Sequence, residues 1–167
     1  VNDWINSKNL TKKKFVIMHA GSSQQHKQKR WVCFPELAKS LYDKNLNTIW
    51  VGSNDDNDIN KRLSSSLGID ATNQFSVLEL IELGKQALFA VTNDSAPMHI
   101  LSCSDIPIYA LFGPTNPKRT HALGQENRVI SVASVFPKDD SKFTPSEISK
   151  ISLSSVLEKI KKDNIIT

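Results

Sequence analysis

The stretch from Leu88 to His99 reads Leu-Phe-Ala-Val-Thr-Asn-Asp-Ser-Ala-Pro-Met-His. Its first half is apolar and rich in strand-forming residues, and the polar residues that follow predict a buried strand running directly into a helix. Asp94 or Ser95 can cap that helix, and Pro97 suits its first turn. A helix N-terminus at the carboxyl end of a parallel strand attracts anions, because its N–H groups and its dipole both favour negative charge. The stretch therefore predicts a site for a phosphorylated ligand.

Strand patterns and helical patterns alternate along the rest of the chain. The predicted strands cover residues 15–18, 48–51, 88–92, 107–112 and 128–132. The predicted helices cover residues 34–41, 59–67, 77–81 behind a Ser76/Glu79 capping box, 97–102 and 153–160. This order predicts an α/β fold with a Rossmann-like, doubly wound parallel sheet. Ligands of such sheets bind outside the carboxyl ends of the strands, so the loops after Met18, Val51, Thr92 and Phe112 should meet at one crevice.

Length and charge narrow the class of protein. The 167 residues fit a single ligand-binding domain over residues 15–167, preceded by a linker or short entering helix over residues 1–14. The chain begins at Val1 rather than Met, and we expect it to be part of a longer protein. A net charge of +4 suits an anionic small molecule or a membrane surface and does not by itself indicate nucleic-acid binding. Residues 134–146 have the composition of a polar loop.

Several other chemistries lack a sequence signal. The two cysteines, Cys33 and Cys103, lie in apolar patterns and fit a reducing compartment better than a structural disulfide. The histidines and cysteines show none of the usual metal-ligand spacings, so we expect no metal. Nucleophile-elbow, P-loop and dinucleotide-binding glycine motifs are lacking in the sequence, as are a signal peptide and an apolar run of membrane-spanning length.

Three motifs follow predicted strands, and each has a structural alternative. Asp94 is poorly placed facing a phosphate, because like charges repel, so it suits sugar hydroxyls or helix capping. His99, one turn into the helix, can reach the same ligand or be a buried histidine. Thr115, in Phe-Gly-Pro-Thr, offers a hydroxyl at a tight turn that can equally be structural. Lys29, in Lys-Arg-Trp after a Gly-Ser-Ser loop, can neutralise phosphate charge in place of a metal or belong to a solvated basic loop.

These motifs, taken together, resemble glycosyltransferase family 9, the ADP-heptose:lipopolysaccharide heptosyltransferases. The resemblance runs from about Phe15 to the final helix. It rests on five segments that occur in the family's order: Lys29-Arg30-Trp31, the turn at residues 52–56, Ser76-Val77-Leu78-Glu79-Leu80, Thr92 to His99, and Phe112-Gly113-Pro114-Thr115. It implies the carboxyl-terminal, donor-binding half of a GT-B glycosyltransferase, an architecture of two Rossmann-like domains with the active site between them.

The resemblance also implies roles for individual residues. Lys29 matches the lysine that contacts the donor phosphates, Asp56 (or Asp55) the acidic residue on the adenosine ribose, and Phe75 the apolar side chain near the adenine. Asp94 matches the residue that binds the donor sugar. The full set of expected donor-binding residues is Lys29, Asp56, Phe75, Asp94, Ser95, Ala96, His99 and Thr115, with backbone amides of Ser95 and Ala96 on the diphosphate. Departures from the family pattern are Ala96 in place of Gly, Val32 in place of Pro, and Asp55-Asp56 in place of Glu.

The reaction implied by the resemblance is an inverting sugar transfer from a nucleotide-diphosphate sugar, ADP-heptose, to a lipopolysaccharide core acceptor. The general base is expected on an amino-terminal half that this chain does not contain, and no metal or other cofactor is expected. Two alternatives stay open: a non-catalytic nucleotide-sugar binding module and a GT-B-fold nucleotide-sugar epimerase. The resemblance further implies a cytoplasmic protein with peripheral contact at the inner membrane and no nucleic-acid partner.

Overall fold

The computed structural model describes residues 1–132 and 144–166 of the chain. Its strands are β1 (Phe15–His19), β2 (Asn47–Gly52), β3 (Ile69–Thr72), β4 (Ala90–Asn93), β5 (Ile108–Phe112) and β6 (Val129–Ser131). Its α-helices are α1 (Asn2–Ser7), α2 (Phe34–Tyr42), α3 (Asn57–Ser66), α4 (Val77–Gln86), α5 (Ala96–Ser102), α6 (Pro117–Thr120) and α7 (Leu153–Lys162). Short 3₁₀ turns cover Gln24–Lys29, Asn54–Asp56, Glu126–Arg128 and Ile148–Lys150.

The six strands form one parallel sheet in the order β3-β2-β1-β4-β5-β6. This is the strand order of a doubly wound sheet, and the direction of winding reverses between β1 and β4. The Rossmann-like fold predicted from the alternating patterns is confirmed. The reversal opens a crevice at the carboxyl ends of β1 and β4, which places the loop after His19 opposite the Asn93-Asp94-Ser95 segment.

Both faces of the sheet are covered by helices, and alternate side chains of each strand enter different layers. In β1, Val16 and Met18 pack with α2 and α7, whereas Phe15 and Ile17 pack with α1, α4 and α5. All four side chains are fully buried. A strand buried on both faces is expected to be apolar throughout, as the Phe-Val-Ile-Met run of β1 is.

Among the strands, β3 is the one that sequence patterns did not predict. It has four residues, lies at the edge of the sheet, and leaves Ile69 and Asp70 only half-buried, so its apolar signal is weak. It follows α3 after a two-residue turn in which Gly68 has a φ of +96°. That backbone conformation favours glycine, and it ends the helix as the sequence predicted.

The first fourteen residues pack onto the domain. Residues 2–7 form α1, which agrees with the entering helix rather than the linker, and Ile5 and Leu10 are buried in the same layer as α4 and α5. The predicted polar loop at residues 134–146 lies outside the described residues up to position 143. Of its last residues, Ser146 donates its backbone N–H to the carbonyl of Gly113 over 3.0 Å.

Candidate functional site

A cavity of about 490 Å³ opens at the carboxyl ends of β1, β2, β3 and β4. This volume is in the range of pockets that hold small ligands. Its polar side is built by the loops after β1 and β4, and its apolar side by residues of β2, β3, α4 and α5. The lining residues are His19, Ser22, Ser23, His26, Lys29, Val51, Gly52, Ser53, Asp55, Asp56, Ala71, Asn73, Phe75, Ser76, Val77, Leu80, Asp94, Ser95, Ala96, Pro97 and Ile100.

Most of the predicted site residues meet in this cavity. Six of the eight line it: Lys29, Asp56, Phe75, Asp94, Ser95 and Ala96. Thr115 is not part of the lining, but its hydroxyl contacts Asp94. His99 is exposed and lies outside the lining, so it is not the buried histidine that the structural alternative described.

Lys29, Asp94 and Thr115 form one hydrogen-bonded cluster. The Nζ atom of Lys29 and the hydroxyl of Thr115 both donate to Oδ2 of Asp94, each over 2.6 Å. The side chains of Lys29 and Asp94 are only 17% and 7% exposed, so water screens this ion pair less than a surface pair. Asp94 therefore holds the cavity's lysine in place. This contact joins loops that follow three different strands.

Neither residue proposed as the cap of α5 caps it with its side chain. Ser95 occupies the N-cap position, and Pro97 lies in the first turn as predicted. The Oγ atom of Ser95 is instead 2.9 Å from Nδ1 of His19 and 3.1 Å from the carbonyl oxygen of Asn93. Asp94 is turned to Lys29 and Thr115. Side-chain capping was the wrong prediction because these partners, distant in the sequence, compete for the same oxygens.

On the floor of the cavity, His19 contacts Ser95 through one ring nitrogen and Asp56 through the other. Nε2 of His19 lies 3.4 Å from Oδ2 of Asp56, which also accepts the backbone N–H of Ser53 over 2.9 Å. Burial raises the pKa of the Asp56 carboxyl. The hydrogen bonds from His19 and Ser53 and the charges of His19 and Arg30 outweigh burial, so that the pKa lies below its ordinary value. Asp56 is thus held as a carboxylate.

The backbone encloses the same carboxylate. A Cβ atom on Gly21 would overlap Asp56, and one on Gly52 would lie 2.6 Å from its Oδ2. Asp56 is 4% exposed, whereas its neighbour Asp55 is exposed at the cavity edge. Of the two acidic residues that the sequence left open for the ribose, Asp55 is therefore the more accessible from solvent.

Asn93 braces the polar side of the cavity and was missed by sequence reasoning. Its side chain is fully buried, donates to the carbonyls of Ala20 and Gly21 over 2.9 and 3.0 Å, and accepts the backbone N–H of Trp31 over 3.2 Å. These hydrogen bonds attach the Lys29-bearing loop to the end of β4. A polar residue at the end of an otherwise apolar strand was the available signal. His19, at the end of β1, gave the same signal.

The apolar side of the cavity is formed around Phe75. Its ring packs edge-on against Trp4, with centroids 5.0 Å apart and planes at 73°. Val51, Ala71 and Leu80 continue this wall. Helix α1, which carries Trp4, thus supports the site from outside the predicted binding domain. The cavity offers apolar surface at one side and charged groups at the other.

Within residues 1–132 and 144–166 no three His, Cys, Asp or Glu side chains are grouped so that they could hold a metal ion. No helix in these two ranges is long and apolar enough to cross a bilayer.

Comparison with known proteins identifies the family. A model of glycosyltransferase family 9 (heptosyltransferase) matches residues 3–147, a range that contains every predicted site residue. The chain belongs to this family. Lipopolysaccharide heptosyltransferase 2 of Escherichia coli K12 is 28% identical to it over 119 residues, which make up 66% of this chain and 34% of that protein.

Solved structures of the family have the same fold. The structure of E. coli ADP-heptose LPS heptosyltransferase II matches with a TM-score of 0.76 at 20% identity, covering 96% of this chain and 50% of that one. E. coli heptosyltransferase WaaC with ADP matches with a TM-score of 0.70 at 18% identity, covering 90% and 44%. The chain therefore spans at most half the length of these relatives, and its sheet corresponds to one part of a GT-B glycosyltransferase.

Proposed function

We propose that this chain is the donor-binding domain of an inverting heptosyltransferase and that its cavity binds ADP-heptose. The observation that carries the proposal is the division of one cavity into an apolar wall around Phe75 and a polar side holding Lys29. This cavity lies where the direction of winding of the sheet reverses, between β1 and β4. A nucleoside diphosphate sugar has the same division, with a flat base at one end and two phosphates and a sugar at the other.

The residues have distinct roles in this proposal. Phe75 packs beside the base, and the acidic pair at residues 55–56 lies nearest to the ribose. Lys29 and the backbone amides of Ser95 and Ala96 bind the diphosphate and stabilise it as the leaving group, without a metal. His99 lies outside the cavity lining, so we assign it no contact with the base or the phosphates.

Asp94 serves two groups in the same proposal. Lys29 and Thr115 both bond to its Oδ2, whereas Oδ1 accepts no hydrogen bond from any residue in the described ranges. Hydroxyl groups of the donor sugar can donate to Oδ1 without displacing Lys29. A carboxylate next to a diphosphate is unfavourable by itself, and its pairing with Lys29 reduces that repulsion.

In this proposal, sugar transfer also requires groups that this domain does not supply. The acceptor, a lipopolysaccharide core sugar, and the carboxylate that removes its hydroxyl proton belong to the other half of the enzyme. The acceptor oxygen then attacks the anomeric carbon while the bond to the diphosphate breaks, and ADP leaves. This chain binds the donor and stabilises the departing ADP.

Titration calorimetry of the chain with nucleotide sugars tests the proposal. We expect ADP-heptose and ADP to bind and to compete for one site, and UDP-glucose to bind more weakly. A Phe75→Ala variant should lose affinity for ADP and for adenosine alike, because the base packs on that wall. No binding of ADP-heptose, or ADP binding that Phe75→Ala and Lys29→Ala both leave unchanged, would refute the assignment of this cavity.

A further inference from the structure

The floor of the cavity contains a Ser95–His19–Asp56 chain whose side-chain contacts the roles above do not use. His19 is 3% exposed, with Nδ1 2.9 Å from Ser95 Oγ and Nε2 3.4 Å from Asp56 Oδ2. Ser95 also lines the cavity beside Lys29 and Asp94. The chain thus links a buried carboxylate, through an imidazole, to the hydroxyl of a serine that lines the cavity.

The ionisation state of the Asp56 carboxyl determines which nitrogen of His19 carries a proton. An ionised carboxylate can only accept hydrogen bonds, so Nε2 of His19 must donate to it. The hydrogen bonds from His19 and Ser53 and the charge of Arg30 lower the pKa of Asp56 and favour the ionised carboxylate. Nδ1 is then the variable position: it accepts from Ser95 when His19 is neutral and donates to Ser95 when His19 is protonated.

This choice controls what Ser95 presents to a ligand. A serine hydroxyl has one proton to donate and two lone pairs. With neutral His19, that proton is used by Nδ1 or by the carbonyl of Asn93, and the hydroxyl has only lone pairs left for a ligand. With protonated His19, Nδ1–H occupies an Oγ lone pair, and the hydroxyl proton becomes available to an anionic oxygen, which is a stronger acceptor than a carbonyl.

We propose that His19 is a positioning residue for Ser95. When His19 takes up a proton from water, the Ser95 hydroxyl turns toward the donor diphosphate. Binding of the diphosphate and uptake of a proton at His19 are therefore linked, and affinity for ADP rises as pH falls. The inference rests on the proposed function, because it needs a diphosphate in this cavity.

Several charged groups around His19 affect the linkage between ADP binding and proton uptake. Asp56 faces Nε2, and Arg30 acts on Asp56 through its charge. The Lys29–Asp94 pair lies on the Ser95 side, and His26 and Asp55 line the same cavity.

The test is ADP binding measured by calorimetry between pH 6 and pH 8 in buffers of different ionisation enthalpy, which reports the protons taken up. His19→Gln can keep an amide N–H toward Asp56 and lacks the bond to Ser95. We expect it to weaken ADP binding roughly ten- to hundredfold at pH 6 and to lose part of the proton uptake seen in the unsubstituted chain. His121→Gln is the matched control, since His121 also contacts a carboxylate, Glu126, over 3.0 Å but lies outside the cavity lining.

Ser95 variants keep the proposal falsifiable if His19→Gln does not fold. Ser95→Ala should lose the same share of proton uptake, and combining it with His19→Gln should add little. Ser95→Thr, which retains the hydroxyl, should restore both affinity and proton uptake.

Two results separate the possible failures. If Lys29→Ala weakens ADP binding but both His19→Gln and Ser95→Ala bind ADP with unchanged affinity and proton uptake, the positioning role is wrong and the proposed function stands. If the unsubstituted chain does not bind ADP, both fail together. The titration of the ligand itself is common to all variants and cancels in the comparison.

Discussion

Replacing Asp94 separates its role in holding Lys29 from its proposed role on the donor sugar. Both bonds to Asp94 converge on the single atom Oδ2, from Lys29 and from Thr115. The one carbonyl oxygen of asparagine can take the place of Oδ2, so Asp94→Asn retains this geometry, while it removes the negative charge and replaces Oδ1 by an amide NH₂ group. Asp94→Ala removes both bonds and leaves the ammonium group of Lys29 unpaired.

The two variants should differ in stability. Replacing the carboxylate acceptor of the Lys29 ammonium by a neutral amide costs about 1–1.5 kcal/mol, so Asp94→Asn should lower the melting temperature by roughly 2–6 °C. Asp94→Ala should cost about 3 kcal/mol, the lower end for a broken buried pair, because Lys29 is 17% exposed and can recover some water. Asp43→Asn is the control: it removes the charge from a Lys39–Asp43 pair that is 66% and 55% exposed, and should change stability little.

The same variant should change ligand preference. Asp94→Asn leaves Lys29 without an anionic partner, so ADP should bind at least as tightly as before. The free-energy preference for ADP-heptose over ADP should decrease by about 1.5–3 kcal/mol, since a charged acceptor for the sugar hydroxyls is lost. Urea unfolding and calorimetric titration of both ligands measure these effects. Equal stability losses for Asn and Ala would refute the convergence on one oxygen, and an unchanged affinity ratio would remove Asp94 from the sugar.

Further predictions concern the diphosphate, turnover and acid stability. Lys29→Ala should weaken ADP binding by about 1.5–3 kcal/mol in calorimetric titration, whereas Lys39→Ala should leave it unchanged; equal effects would contradict the role of Lys29. The purified 167-residue chain should transfer no heptose from ADP-heptose to a lipopolysaccharide core acceptor, and robust transfer would contradict the division between two halves. Because the pKa of Asp56 is lowered in the folded protein, its ionisation stabilises the fold above its ordinary pKa of 3.8, and this contribution is lost as pH falls further. Asp56→Asn should therefore be less stable than the unsubstituted chain at pH 7, with a difference in urea unfolding that narrows below about pH 4; a difference independent of pH would show that the carboxylate charge is not involved.

Local patterns in the sequence were enough to predict the type of most elements. The apolar runs of β1, β2, β4 and β5 and the amphipathic spacing of α2, α3 and α7 depend on period and length, which are properties of adjacent residues. The capping box at Ser76 and Glu79 is present in the structure, since it too is a contact between residues three positions apart. The edge strand β3 was missed because half-exposed residues carry no such pattern.

The order of elements also predicted the place of the site. Alternating strands and helices imply a parallel sheet, and its winding brings the ends of β1 and β4 together. For that reason Lys29 and Asp94, 65 positions apart, could be assigned to one crevice before their contact was known. The individual donor-binding residues came from the family resemblance, and six of those eight line the cavity.

The hydrogen-bond partners in that crevice were decided by tertiary structure alone. Asp94 or Ser95 was predicted to cap a helix, because the N–H groups of a helix N-terminus are the best partners available within a short segment. Folding brought Lys29, Thr115 and His19 to them instead, and buried Asp56 behind the backbone of Gly21 and Gly52. The sequence by itself determined the layers and the edge of the sheet where ligands bind, because these follow from local periodicity and connection handedness. Only the three-dimensional packing decided which side chains face the ligand and which hold one another, because a short polar side chain bonds to whichever donor or acceptor folding brings nearest.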